Sequence, residues 1–266
     1  MEKYASTHPA RSPEDFLPGK DPILDFPEDD WKAFRENYLA LNVPDPNPKR
    51  QVFQAMYSHL CGVNQWLNLT RLTTPADYLK FSLLDSLTLL PVLESLCESQ
   101  SVVMDLGSGG GYPGLPLMAC MTTQEFVLID ARQKKVDFLN AAITVIPREG
   151  KARAYACRGK DVRLSHPDLR HRAEVVTARA VGKGVELLPD AAELLAQGGV
   201  FVLMKGQSWN TEEKPLFVEA CPAFGFDMVE DMELSLVPND PVRHIILAVK
   251  KGEGNPRRAK KYRARL

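Results

Sequence analysis

Cysteine is scarce in this 266-residue chain, and long apolar runs are missing. The five cysteines (Cys61, Cys97, Cys120, Cys157 and Cys221) are odd in number, dispersed, and free of Cys-x-x-Cys spacing. That argues against a disulfide framework or a zinc site and for a reducing, cytoplasmic setting. The histidines (His8, His59, His166, His171 and His244) have no metal-ligand spacing either, so no metal is expected. No apolar stretch approaches the roughly 18 residues that a membrane helix takes. The start, Met-Glu-Lys-Tyr-Ala-Ser, lacks the apolar centre and cleavage signature of a signal peptide, so no membrane partner is expected. The composition, 44% apolar and 25% charged, is that of a globular protein and suits one large α/β domain with an appendage. A monomer is expected.

The net charge of −1 conceals an asymmetry. Residues 251–266 carry seven Lys or Arg against one Glu, so a mildly acidic body precedes a strongly basic end. Arg257, Arg258, Lys260 and Lys261 lie in that tail, which reads as an electrostatic arm for RNA phosphates. Residues 1–30 hold five prolines and eight acids and read as a disordered or loosely draped extension.

What is abundant is glycine in one place. Residues 107–114 contain five glycines in eight positions, directly after the apolar run Val102 to Leu106. A strand, a glycine turn, a helix opened near Pro113 and a second strand (Phe126 to Ile129) ending in Asp130 make half of a nucleotide-binding α/β sheet. Glycines there let the backbone approach a ligand where a Cβ would collide. Amides at the helix start favour an anionic group, and Asp130 is placed to accept from ribose hydroxyls. Two cofactor classes fit. Gly109, Gly111 and Gly114 satisfy G-x-G-x-x-G, so a nicotinamide dinucleotide is one. Read from the strand end, the pattern is instead Asp105, Gly107, Gly109, Gly111. An acid in the strand's last turn suits the amine of S-adenosylmethionine and repels a pyrophosphate, so that reading is favoured.

Upstream, the spacing predicts a helix from Trp31 to Leu41, a second from about Lys49 to Leu67, and a third with Thr74 as N-cap and Pro75 at its first position. Leu79, Leu83, Leu87 and Leu90 form the buried stripe of the third, and Pro91 bends or restarts it. Downstream, strands are expected at Arg153–Cys157, Glu174–Ala178 (leading to Arg179), Val200–Met204 (leading to Lys205), Phe226–Leu236 and His244–Val249. A helix at Val185–Ala196 is expected to stop at Gly198-Gly199. The short Pro-rich link at 238–241 makes the last two strands an antiparallel hairpin. The fold class is therefore α/β: a Rossmann-like, mostly parallel seven-stranded sheet with a C-terminal antiparallel hairpin, behind a helical N-terminal layer. A parallel sheet finishing in such a hairpin is typical of S-adenosylmethionine-dependent methyltransferases, so the expected organisation is an extension (1–30), a helical layer (31–97), a methyltransferase domain (98–250) and a basic tail (251–266).

Several stretches then resemble one family in order over roughly residues 50–250. They are Trp66-Leu67-Asn68-Leu69-Thr70, Leu84-Asp85-Ser86-Leu87, Asp105 to Pro116, Lys134-Lys135-Val136, Arg179-Ala180, Leu203-Met204-Lys205-Gly206-Gln207 and Arg243-His244. The chain resembles the bacterial 16S ribosomal RNA guanine-N7 methyltransferases, also called glucose-inhibited division protein B. The resemblance implies methyl transfer from S-adenosylmethionine to N7 of one guanine in small-subunit ribosomal RNA, with that RNA or its particle as partner. It also implies Arg179, Lys205 and Arg243 as the catalytic group, and Lys134 and Arg158 as RNA contacts. Gly107, Tyr112, Gly159, Lys160 and Arg179 are implied at the cofactor, joining Asp105, Gly109, Gly111 and Asp130. Two departures stand out. Lys160 occupies the place of a family acid, with Asp161 one position later, and Phe81-Ser82 replaces Arg-His before the Leu-Asp-Ser motif.

Guanine N7 carries an in-plane lone pair and no proton, so the reaction needs alignment and no general base. A donor on N7 would block the attack, so the basic residues are expected on O6, phosphates or the cofactor carboxylate. Each also has a plainer reading as a strand-end salt-bridge partner, with His244 a satisfied strand histidine and Asp85 a packing acid. Two other functions stay open: a methyltransferase for another RNA, a protein or a small molecule, and a non-catalytic binding module.

Overall fold

Short runs of β-branched and large apolar residues, separated by turn-forming residues, become seven strands in the computed structural model, which describes residues 13–19, 22–252 and 254, without the side chains of Pro13, Glu14 and Lys160. The strands are β1 (Val102–Leu106), β2 (Glu125–Asp130), β3 (Ala152–Ala156), β4 (Ala173–Arg179), β5 (Leu195–Lys205), β6 (Phe226–Leu234) and β7 (Arg243–Lys250). They form one sheet in the order β3-β2-β1-β4-β5-β7-β6. The first five pair in parallel, and β7 runs antiparallel between β5 and β6.

Helices cover both faces, so the central strands are apolar on both sides. In β1, Val103 faces one core while Val102, Met104 and Leu106 face the other, the two-residue period of a strand. The first face carries the N-terminal helices α1 (Glu28–Leu39), α2 (Arg50–Leu67), α3 (75–87) and α4 (Leu90–Leu96), with α5 (Gly114–Cys120) and α6 (Gln133–Ile143). The short α7 (Val162–Ser165), α8 (Gly184–Leu194) and α9 (Lys214–Ala220) cover the second. The start of α3 follows its capping signal: the Thr74 hydroxyl accepts from the Asp77 amide, and Pro75 holds the first position. Its middle, Tyr78–Leu84, winds as a wider π-type turn. All four leucines of the expected stripe are buried.

The end of the expected Val185 helix and the packing of the N-terminal extension differ from the sequence reading. The helix expected to reach Ala196 ends at Leu194, because Leu195 is already extended and pairs with Ala173. Gly198 and Gly199 therefore lie within β5, beside a register shift in its pairing with β4, and do not terminate the helix. In the described part of the N-terminal extension, Phe16 and Phe26 are buried. Phe16 packs edge-on against Trp66 with centroids 5.0 Å apart, and Phe26 stacks on Trp31 at 5.9 Å. Two such side chains contribute about 3–6 kcal/mol of burial, so apolar anchors among the prolines and acids hold this stretch on the helical layer. The rest of the extension and Arg257, Arg258, Lys260 and Lys261 of the tail lie outside the described residues.

Candidate active site

Where β1, β2 and β4 end, the strand order reverses between β1 and β4. At that point the connecting loops diverge and leave a cleft, here of about 1210 Å³. The glycine turn forms one wall. Gly107 sits at φ +75° with its amide on the Ile129 carbonyl at 2.7 Å, and an added Cβ would overlap the side chain of Val181. Gly109 (φ +57°) donates its amide to Asp130 Oδ2 at 3.0 Å. Gly111 (φ +95°) is pressed against Leu115, so its lack of Cβ serves packing under the turn.

Asp130 lies on the cleft wall. Its Oδ1 accepts from the Arg132 amide at 2.9 Å, and Lys135 Nζ stands 3.9 Å from its Oδ2. Each oxygen keeps a lone pair for a further donor. Asp105 behaves differently from the expectation. It is 1% exposed and lies behind the turn, off the wall. Its Oδ2 accepts from the Gly114 amide at 3.1 Å and its Oδ1 from the Thr177 hydroxyl at 3.0 Å. The anion at the start of α5 is thus supplied by the protein, and Asp105 holds the shape of the turn from behind the cleft wall. Burial raises its carboxyl to about 6, against hydrogen bonds from Ser108, Thr177 and Gly114.

Tyr112, Arg158 and Gly159 line the same cleft. A Cβ on Gly159 would collide with Asp190, which also lines the cleft. Asp161 is exposed and off the wall, and Asp190 is the acid beside Gly159. The side chain of Lys160 lies outside the described residues. Lys134 is exposed and off the wall, whereas Lys135 is on it. Sequence reasoning did not single out Lys135, because only the exact phase of α6 separates the two lysines.

Arg179 joins this cleft to a second one of about 590 Å³, whose walls also hold Asp85, Lys205, Glu213 and Arg243. After Arg179 the chain turns sharply, with Ala180 at φ +55°, a strained value for a residue with a Cβ. The Arg179 guanidinium is heavily tied. Nη1 lies 3.0 Å from Asp85 Oδ2 and donates to Ser86 Oγ at 3.1 Å, while Nη2 donates to the Phe81 carbonyl at 2.6 Å. It also stands 5.9 Å from the Tyr112 ring centroid. Asp85 Oδ1 accepts from Arg243 Nε at 3.2 Å, so one carboxylate, 6% exposed, holds both arginines. The plain reading of Asp85 as a packing acid missed this; its one signal was the Leu-Asp-Ser-Leu stretch. Lys205 Nζ donates to the Gly182 carbonyl at 2.5 Å and pairs with Glu213 at 2.7 Å. Glu213 also accepts from the Gly184 amide at 2.7 Å, tying the loop after β5 to the start of α8. His244 is buried, with Nδ1 3.0 Å from Asp231, a satisfied strand histidine.

The two clefts together suit a reaction between two bound molecules. The larger offers a glycine wall and acids (Asp130, Glu186, Asp190) to hydroxyl and amino groups. The smaller offers three cations and two acids. Among the described residues, no group of three or more His, Cys, Asp or Glu is arranged to hold a metal, and no helix is long and apolar enough to cross a membrane.

Residues 49–221 match the family model described as rRNA small subunit methyltransferase G. The chain is 37% identical over 155 residues to the ribosomal RNA small subunit methyltransferase G of Sorangium cellulosum, covering 58% of this chain and 63% of that one. It is 34% identical over 206 residues to the protein of the same name from Synechococcus elongatus, covering 76% and 82%. Among solved structures, a geranyl diphosphate methyltransferase bound to GPP and sinefungin shares the fold, with a TM-score of 0.51, 12% identity, and 68% and 82% of the two chains covered.

Proposed function

Because the chain belongs to the rRNA small subunit methyltransferase G family, we propose that it transfers a methyl group from S-adenosylmethionine to N7 of a guanine in small-subunit ribosomal RNA. The observation that carries this reading is the pair of adjoining clefts, with Arg179 on the wall of both. The larger is taken as the cofactor site and the smaller as the site of the base.

The residues of the larger cleft fit the cofactor. Gly107 and Gly109 leave the wall open, Asp130 is available to ribose hydroxyls, and Asp190 lines the wall beside Gly159, where the adenine would lie. When bound, the cofactor supplies an electrophilic methyl on a sulfonium. The chain's own task is geometric. N7 attacks with its lone pair and no proton moves, so the enzyme gains rate by holding nucleophile, methyl carbon and leaving sulfur in line. Arg179, held by Asp85, Ser86 and Phe81 through both Nη groups, stands as a partition at the junction. Lys205 is likewise engaged and 9% exposed, which suits it to shaping the loop after β5 rather than gripping a phosphate. Arg158 on the cleft wall and exposed Lys134 at the start of α6 are the candidates for backbone phosphates.

The test is methyl transfer with labelled S-adenosylmethionine into small-subunit particles from a strain lacking the activity. Label that comigrates with 7-methylguanosine after digestion to nucleosides is expected. Label in protein, or in another nucleoside only, would overturn the assignment.

A further inference from the structure

The smaller cleft holds three cations, and their hydrogen bonds distinguish them. Arg179 spends both Nη groups on α3. Lys205 spends two of its three N–H bonds on the Gly182 carbonyl and Glu213. Arg243 donates to a protein acceptor only through Nε, to Asp85, among the described residues. Both of its Nη groups remain for a ligand, on a side chain 28% exposed at the cleft wall.

We propose that Arg243 reads the 6-position of the target purine, selecting guanine over adenine through O6, and that Asp85 is the positioning residue that aims it. This rests on the function proposed above. Guanine presents an acceptor at position 6 where adenine presents an amino donor, so a guanidinium there attracts one and repels the other. The commonest arginine–guanine contact is bidentate to O6 and N7, which would block the lone pair that must attack. The Asp85 carboxylate already occupies the Nε edge of Arg243. The base then meets the terminal Nη edge; a single N–H on O6 leaves N7 open, whereas Nη1 and Nη2 together on O6 and N7 would not, so the contact is to O6 alone. Asp85 also holds Arg179 from its other oxygen, so the group that reads the base and the partition beside the cofactor share one anchor. A carboxylate 6% exposed with a guanidinium on each oxygen has little freedom to drift.

The experiment uses the full chain saturated with S-adenosylhomocysteine and three probes: GMP, IMP and 2-aminopurine riboside 5′-monophosphate, the last lacking O6. Wild-type protein is expected to bind GMP and IMP alike and the O6-lacking nucleotide about tenfold more weakly, the worth of one charged hydrogen bond. Arg243→Met should bind all three alike, at the level wild type shows for 2-aminopurine. Asp85→Asn should reduce the discrimination at least about threefold by lowering affinity for GMP and IMP more than for the 2-aminopurine nucleotide, a pattern that a general packing defect would not give. Equal binding of GMP and the 2-aminopurine nucleotide by wild type, no GMP binding at millimolar concentration, or an equal loss for all three probes in Arg243→Met would each overturn the proposal. The methyl-transfer assay on the same preparation separates the two claims. Discrimination without transfer to ribosomal RNA removes the proposed function, and transfer without discrimination removes the role of Arg243.

Discussion

Burial holds the Asp105 carboxyl at about 6, well above its ordinary value. The folded state therefore keeps a proton that the unfolded chain releases near pH 4. This favours folding at low pH, and the benefit is lost as the pH rises through about 6. Comparing wild type with Asp105→Asn by urea unfolding, the stability of wild type relative to the variant should fall by about 2–3 kcal/mol between pH 4 and 6.5, then stay flat. A difference that grows with pH would mean the carboxylate is stabilised as an anion. The example also marks a limit of sequence reading. Charge and position named Asp105 correctly as part of the glycine turn, but which way its oxygens point depends on Thr177, 72 residues away. The same holds for Asp85. Its partners Arg179 and Arg243 are far along the chain, and no local pattern announces that they converge on it.

The glycine turn and the helix after it form the element on which the cofactor site depends. Gly107→Ala would place a Cβ against Val181 and force a residue with a side chain to φ +75°. The backbone strain costs about 1–2 kcal/mol. The expected outcome is an unfolding free energy lower by about that amount, with affinity for S-adenosylmethionine reduced at least about tenfold. Calorimetric binding that survives unchanged would show that the ligand does not lie on this wall. Elements with a strong local cause were legible: the strand before the turn, the Thr74-Pro75 start of α3, and the hairpin closed by a short link. The end of α8 was not, because tertiary pairing of Leu195 with Ala173 overrode the glycine stop at Gly198. The wide turn in α3 had no local signal either, although Arg179 draws on its Phe81 carbonyl.

At the scale of the whole molecule, charge is segregated: a mildly acidic body and a basic C-terminal run. An arm with six bases in its last ten residues would release counterions on meeting RNA. Deleting residues 255–266 should weaken RNA binding and reduce the slope of log affinity against log salt by up to about 4, at roughly 0.7 per phosphate contact. An unchanged slope across a salt series would leave the tail without a role in binding. The parallel sheet with its terminal antiparallel hairpin and the N-terminal helical layer followed from the alternation of apolar runs and turns; the strand order did not. What joins the layers into a site did not, because it consists of ion pairs between α3, β4 and β7.

The central claim is that the two clefts bring one guanine N7 against the cofactor methyl at Arg179. Small-subunit particles methylated by the purified protein, then reduced with borohydride and treated with aniline, test it most directly, because the chain breaks at N7-methylguanine. One new break in the small-subunit RNA, absent with Arg179→Ala while S-adenosylmethionine still binds, is the predicted result. Methylated RNA that aniline does not break would contradict it.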